Sequence, residues 1–354
     1  MAAKPDIVTL DQIGTFDTLI DARSPAEYAL DHLPGAINLP VLDDEQRRIV
    51  GTLYKQTGAF EARRIGGAWV ARNIARHIEA VMQDRPARWR PLVYCWRGGQ
   101  RSGAFALWLR QIGWAAAQLQ GGYKAYRRWV VEQLDSLPPA LHWRVIAGPT
   151  GSGKTRLLQA LAARGAQVLD LEGLARHRGS ILGAWPDGQP QPSQKAFDTA
   201  LVHALRRFDP ALPVWVEAES RKIGALQLPM AMAIALQRAP RVQVKVPFAE
   251  RLALVLQDYA WLGQDPQALA LRLSALHGLH ANDTLARWQA WAQAGQLPEL
   301  FAELMTHHYD PLYQRHLRTH GLPITTLELP ALNDRALAEA AARLHPAAAE
   351  PVAP

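Results

Sequence analysis

At 354 residues, with 49% hydrophobic and 20% charged side chains, the chain is long and apolar enough for two buried cores, which excludes a disordered or fibrous class. A single cysteine excludes an internal disulfide. The net charge of +7, with 32 Arg against 7 Lys, suits a polyanionic partner such as RNA, because a guanidinium fork grips phosphate and stacks on bases. A GC-rich genome would also raise Arg over Lys, although it explains the net charge less well. The opening Met1 to Asp6 lacks the apolar core of a signal peptide, and the apolar stretch Leu228 to Leu236 contains Pro229 and is too short to span a bilayer. A soluble, cytoplasmic protein with no membrane partner is therefore expected.

In chain order, Ile7 to Leu10 and Thr18 to Ala22 read as short strands. Ser24-Pro25-Ala26-Glu27 reads as a capped helix start, with Glu27 three residues after the capping serine. Ala68 to Met82 has helical apolar spacing, Pro91 to Tyr94 is a buried strand, and Ser102 to Ile112 a helix. Leu134 to Leu141 is polar, then proline-rich, and predicts an interdomain linker over 136–142. A second α/β pattern follows, with strands at His142 to Ala147, Ala166 to Leu171, Leu212 to Val216 and Val242 to Val246, and a helix at Arg156 to Ala163. Phe248 to about His320 is mainly helical. The predicted domains are 5–135 and 143–335, with a disordered Pro/Ala-rich tail over 345–354.

Cys95 stands at the carboxyl end of the strand Pro91 to Tyr94, where α/β folds place ligand sites. The attacking form of a thiol is the thiolate, which loop N–H groups and a following helix N-terminus favour. Gly98 and Gly99 let the loop curl, and Arg97 and Arg101 add positive charge, so Cys95, Arg97 and Arg101 are the candidate catalytic residues. The five residues between Cys95 and Arg101 give a C-x5-R spacing that cysteine phosphatases also show. Such a loop suits a tetrahedral oxyanion. Asp43 or Asp44 could supply the general acid that a phosphatase needs.

Gly148-Pro149-Thr150-Gly151-Ser152-Gly153-Lys154-Thr155 is a complete P-loop between a strand and a helix. Gly148, Thr150, Gly151, Ser152 and Gly153 offer backbone N–H groups to phosphate oxygens, Lys154 neutralises charge, and the Thr155 hydroxyl is placed to hold Mg²⁺. The carboxylate expected at a later strand end is Glu217, a Glu in place of the usual Asp, which weakens the case for nucleotide hydrolysis. Asp170, Glu172 and Arg178 leave one strand end, and Glu217, Glu219 and Arg221 another, so both groups could ring the phosphate site or be solvated loop charges. No metal ligand set is assigned, since adjacent His307 and His308 would point apart on a helix, and no tightly bound cofactor is expected. Trp143 and Trp288, each beside an Arg, could stack on bases or belong to the core.

Two resemblances follow from these segments. Cys95 and its loop, with Asp21-Ala22-Arg23-Ser24-Pro25-Ala26-Glu27-Tyr28 and His32-Leu33-Pro34-Gly35-Ala36, resemble a rhodanese domain, although the usual loop is one residue tighter. The resemblance implies that Cys95 carries a persulfide or perselenide and that Asp21 and Arg23 fix the fold. A rhodanese-like α/β domain, then a P-loop NTPase-like parallel-sheet α/β domain with a helical C-terminal region, resembles the tRNA 2-selenouridine synthase family. The segments Asp170 to Ser180, Gln191 to Phe197 and Glu217 to Gly224 carry that likeness. It implies replacement of sulfur by selenium in wobble 2-thiouridine of the tRNA anticodon arm, through an S-geranylated uridine, with geranyl diphosphate and selenophosphate as substrates. Leu252 to Leu256 and Trp261 would suit the prenyl chain. The rival readings are a sulfurtransferase fused to a small-molecule kinase, and a regulatory module whose thiol senses phosphate or oxidants.

Overall fold

The structure, a computed structural model, describes residues 7–318 and 324–345, so the tail predicted over 345–354 lies outside the described residues beyond His345. The chain divides into two compact units at Gln133 and Leu134.

In the first unit the strands are β1 (Ile7–Val8), β2 (Thr18–Asp21), β3 (Ala36–Asn38), β4 (Pro91–Tyr94) and β5 (Ala117–Leu119). They form one parallel sheet in the order β1-β5-β4-β2-β3. All four residues of β4 are buried, as expected of a central parallel strand covered on both faces. Ile20, Val93, Phe105, Leu109 and Trp114 form its core with Ile74 of the long helix Ala59–Val81. That helix begins nine residues before the predicted Ala68, because Gly58 at φ 125° and its following residues turn the chain directly from the preceding helix Asp44–Gln56.

The predicted linker is not an irregular segment. Helix Gly122–Ala140 runs through Pro138 and Pro139, and His142 already belongs to the next strand. Leu134 and Pro138, four residues apart, are both buried, and the indole Nε1 of Trp143 donates to the Pro138 carbonyl at 2.8 Å. Apolar burial and that cap offset the amide donors that two prolines remove from the last turn.

The second unit adds β6 (His142–Ala147), β7 (Gln167–Leu169), β8 (Pro213–Glu217), the small hairpin β9 (Lys222–Ile223) and β10 (Leu226–Gln227), β11 (Arg241–Lys245) and β12 (Ile324–Glu328). Five of these form a second parallel sheet, ordered β12-β11-β6-β8-β7. Helix Lys154–Ala163 packs on it through Leu157, Leu158 and Leu161, together with Leu337, Ala340 and Ala341 of helix Asp334–Leu344, which continues beyond the expected limit at residue 335. The helical region from Phe248 to Arg318 has its own core of Leu269, Leu273, Trp288, Phe301 and Leu304. Strand β12 was not predicted. It is a five-residue edge strand whose alternation is brief and whose pairing with β11 joins distant parts of the chain. Among the described residues no helix is long and apolar enough to cross a membrane.

Candidate active sites

The thiol loop leaves β4 at Cys95 and returns as helix Gln100–Ile112. The Cys95 side chain is buried, and the Ser102 hydroxyl donates to its Sγ at 3.1 Å. Gln118 Nε2 in turn donates to the Ser102 oxygen at 2.9 Å and to the Gly99 carbonyl at 2.9 Å. This chain of bonds fixes the position of the sulfur against the loop and the start of the following helix. The loop is locked from behind by the first turn of helix Gly122–Ala140, where the Tyr123 and Lys124 amides donate to the Cys95 and Trp96 carbonyls at 2.8 and 2.9 Å.

Gly122 makes this closure possible. It has φ 56°, and a Cβ there would lie 2.2 Å from the Cys95 carbonyl oxygen and 2.5 Å from the Gly98 nitrogen. Both obstacles are backbone and cannot swing aside. Gly122→Ala is therefore expected to lower unfolding stability by about 3 kcal/mol or more, measured by denaturant titration. A loss below about 0.5 kcal/mol would show that the loop is not held this way.

The predicted arginines do different things. Arg101 Nη1 pairs with Glu27 Oε2 at 2.9 Å, and that same oxygen accepts from the Ser24 amide at 3.2 Å, so Arg101 ties the loop to a helix cap. Burial raises the Glu27 carboxyl most, but the bond and charge of Arg101, the Ser24 amide and the charge of Arg47 together outweigh it and hold the group below its ordinary value. Arg97 is exposed and lines a separate cavity that Cys95 does not border. Asp43 caps helix Asp44–Gln56 through the Gln46 amide, and Asp44 accepts from the Ala26 amide, so neither is poised as a general acid. Asp21 and Arg23 form a fully buried pair at 2.6 Å, with Arg23 stacked 3.9 Å over the Tyr123 ring.

In the second unit β6 delivers the chain into the P-loop. Gly151 and Gly153 have φ of 79° and 72°, and a Cβ on either would strike Arg251 or Leu332 within 2.7 Å. A polar cavity of about 280 Å³ opens above the loop, lined by Thr150 to Arg156, Glu172, Arg178, Ser180, Glu217, Leu254, Val255, Asp258 and Tyr259. Lys154 Nζ donates to the Gly148 carbonyl at 3.1 Å, and the Thr155 hydroxyl to Glu217 Oε2 at 3.3 Å. Gly148 itself does not line the cavity. Arg251, absent from the sequence reading, donates to the Thr150 carbonyl at 2.9 Å and holds Asp310 through two bonds of 3.0 and 2.6 Å.

The carboxylates converge because β6, β8 and β7 are neighbours and end on the same side. Glu172, Glu217 and Glu219 bring one oxygen each within 4.8 Å of one another, the group of three potential ligands found among the described residues. Burial, reinforced by Glu172, pushes the Glu217 carboxyl well above its usual range, while burial and Glu219 raise Glu172, both against the pull of Lys154. Burial and Glu217 push Glu219 up to about 7. Asp170 and Arg221 are exposed and do not line the cavity, and Asp170 instead caps a short helix through the Gly173 amide at 2.8 Å.

These shifts have a sign. A carboxyl with a folded value above its unfolded one is stabilising below the ordinary carboxylate range, and that stability is lost as pH rises through the folded value. In divalent-free buffer the melting temperature is therefore expected to fall as pH rises from about 5 through about 7, and Glu219→Gln to flatten the fall. Identical pH profiles for the two proteins would contradict the cluster.

Elsewhere, His308 Nδ1 lies 3.0 Å from His280 Nε2, and Asp310 is taken by Arg251. Trp143 and Trp288 are buried, Trp288 with its Nε1 on Glu303 at 2.8 Å, so neither offers a face to RNA. Sequence reasoning also missed Asp258 and Tyr259, whose helix carries no motif. Arg178 reaches them across the cavity, its Nη1 on the Asp258 carbonyl at 3.1 Å and its guanidinium 5.0 Å from the Tyr259 ring.

Comparison with known proteins places both sites in context. The sequence profile described as tRNA 2-selenouridine synthase AAA domain matches residues 141–279, and that of the rhodanese-like domain residues 8–128. A tRNA 2-selenouridine synthase of Nitrosomonas europaea is 38% identical over 282 residues, 76% of this chain and 71% of that protein. One of Aeromonas salmonicida is 34% identical over 322 residues, covering 83% and 86%. One of Marinobacter nauticus is 32% identical over 358 residues, covering 90% and 93%.

Proposed function

The chain belongs to the tRNA 2-selenouridine synthase family, and from that membership we propose that it replaces sulfur by selenium at carbon 2 of wobble 2-thiouridine in the tRNA anticodon arm. Two transfers make up the reaction. In the first, the thiocarbonyl sulfur attacks carbon 1 of geranyl diphosphate, the carbon–oxygen bond breaks with its electron pair on diphosphate, and N3 loses its proton. In the second, the Cys95 sulfur attacks carbon 2 and the S-geranyl group departs as the thiol with the cysteine's proton; selenium of selenophosphate then adds at carbon 2 and the Cys95 thiol departs. Hydrolysis of the remaining phosphorus–selenium bond releases phosphate.

The observation that carries this reading is the polar cavity over Lys154, whose wall also includes the apolar Leu254 and Val255. A leaving diphosphate needs donors fixed in advance and little water, and Lys154, Arg178 and the loop amides supply them. The prenyl chain fits beside Leu254 and Val255. The residues also suit Mg²⁺. Glu217 is buried with Oε1 lacking any hydrogen-bond partner, and Thr155 stands next to it with three carboxylates close together, a hard-oxygen donor set. Thr155, Glu217, Glu172 and Glu219 would hold the ion, which would neutralise charge on the departing diphosphate. Cys95, with Ser102 and Gln118 behind it, is the residue we assign to the second transfer.

Nucleoside mass spectrometry of 2-thiouridine tRNA incubated with the protein tests this reading. Geranyl diphosphate alone should give the S-geranyl nucleoside, and both donors together should give selenouridine. Unchanged tRNA throughout would overturn it, and steady ATP turnover with a small-molecule acceptor would favour the kinase fusion instead.

A further inference from the structure

Arg97, Lys124 and Arg128 converge on one cavity of about 590 Å³ in the N-terminal unit, within the size range of sites for small molecules and nucleotides. All three side chains are exposed, and none makes an ion pair among the described residues. Lys124 and Arg128 lie one turn apart on helix Gly122–Ala140, a like-charge spacing that costs stability unless an anion lies between them. Gln120 and Gly121, just before that helix, line the same cavity. The acidic side chain on the wall is Asp11, whose carboxylate accepts from the Thr9 hydroxyl at 2.5 Å.

We propose that this cavity seats backbone phosphates of the RNA strand that presents its base to Cys95. The inference deepens the function proposed above and rests on its RNA substrate. A free phosphate-type anion has the same chemistry, but two observations favour the strand. Arg97 follows Cys95 by two residues, so its Cα is at most about 7 Å from that of the nucleophile, roughly the reach from a base to its own backbone. Trp96, between them, packs one side of its ring against Tyr123, with 5.5 Å between centroids, and is 36% exposed at the thiol loop, where an indole can contact an unpaired base. Arg97 is thus a binding residue for RNA rather than a second cation at the thiol.

The test is fluorescence anisotropy of an unmodified anticodon stem-loop RNA across a salt series, with the full chain and no donor added. Each phosphate contact to a single strand contributes about 0.7 to the slope of log affinity against log salt. The triple substitution Arg97→Ala, Lys124→Ala, Arg128→Ala should lower the slope by about 2 and weaken binding on the order of 10²-fold. The charge-conserving pair Lys124→Arg, Arg128→Lys should keep the slope of the parent. An unchanged slope in the triple variant would overturn the proposal. So would a slope that holds while calorimetric binding of inorganic phosphate is lost, because the cavity would then serve a free anion. The probe carries no thiouridine, so a shifted slope stands even if the selenation assay yields nothing, and the two readings fail separately.

Discussion

Cys95→Ala is expected to lower selenouridine formation by on the order of 10³-fold or more, with S-geranylated tRNA accumulating in its place. The thiol is the sole cysteine of the chain, set at the end of a fully buried strand and fixed by a bond from Ser102. Nothing in the loop can replace it: Arg101 is committed to Glu27, and Arg97 lines another cavity. The small, buried side chain can be truncated without removing the closure of the loop, which depends on backbone bonds to the Tyr123 and Lys124 amides. The melting temperature should therefore stay near that of the parent while the product is lost. Selenouridine formed at the parental rate would mean that selenium reaches carbon 2 without the thiol.

Lys154→Ala is expected to lower geranyl transfer by about 10²–10³-fold, read as S-geranyl nucleoside formed with geranyl diphosphate alone. Charge develops on the diphosphate as the carbon–oxygen bond breaks, and a fixed ammonium in a half-enclosed cavity stabilises it more than water would. The lysine also offsets three crowded carboxyls, each held above its usual range by burial and by its neighbours. Without it those groups should take up protons more readily, so the residual activity should move to higher pH as well as fall. Lys154→Arg, which keeps the charge, should retain part of the rate. A geranyl-transfer rate unaltered by Lys154→Ala would remove the P-loop from the chemistry.

Both loops were legible in the sequence because each is local: a short buried strand, glycines where the backbone must turn left-handed, and a helix directly after. Gly151 and Gly153 occupy such φ values. What depended on the sheet was not legible. Glu172 and Glu217 stand 45 residues apart in number and meet only because β7 pairs with β8. Each was named as a candidate, but their convergence with Glu219 on one point follows from strand order, which spacing does not encode. Arg251 was invisible for a related reason: it reaches back 101 residues to Thr150 from a helix that carries no motif. Arg97 failed differently. In a tight loop, consecutive side chains point to different sides, so nearness in sequence to Cys95 did not place its guanidinium at the sulfur. The prolines at 138 and 139 misled because buried packing held a helix that local propensity would have ended.

The measurement that bears most directly on the division of labour between the two loops uses tRNA that already carries S-geranyl-2-thiouridine. Lys154→Ala and Cys95→Ala proteins would each be given that tRNA with selenophosphate, and the nucleosides analysed by mass spectrometry. Selenouridine from the Lys154→Ala protein at close to the parental rate, and none from Cys95→Ala, is the expected result. Equal loss in both variants would contradict it, because the P-loop would then be needed for selenium transfer and the two steps could not be assigned to separate sites.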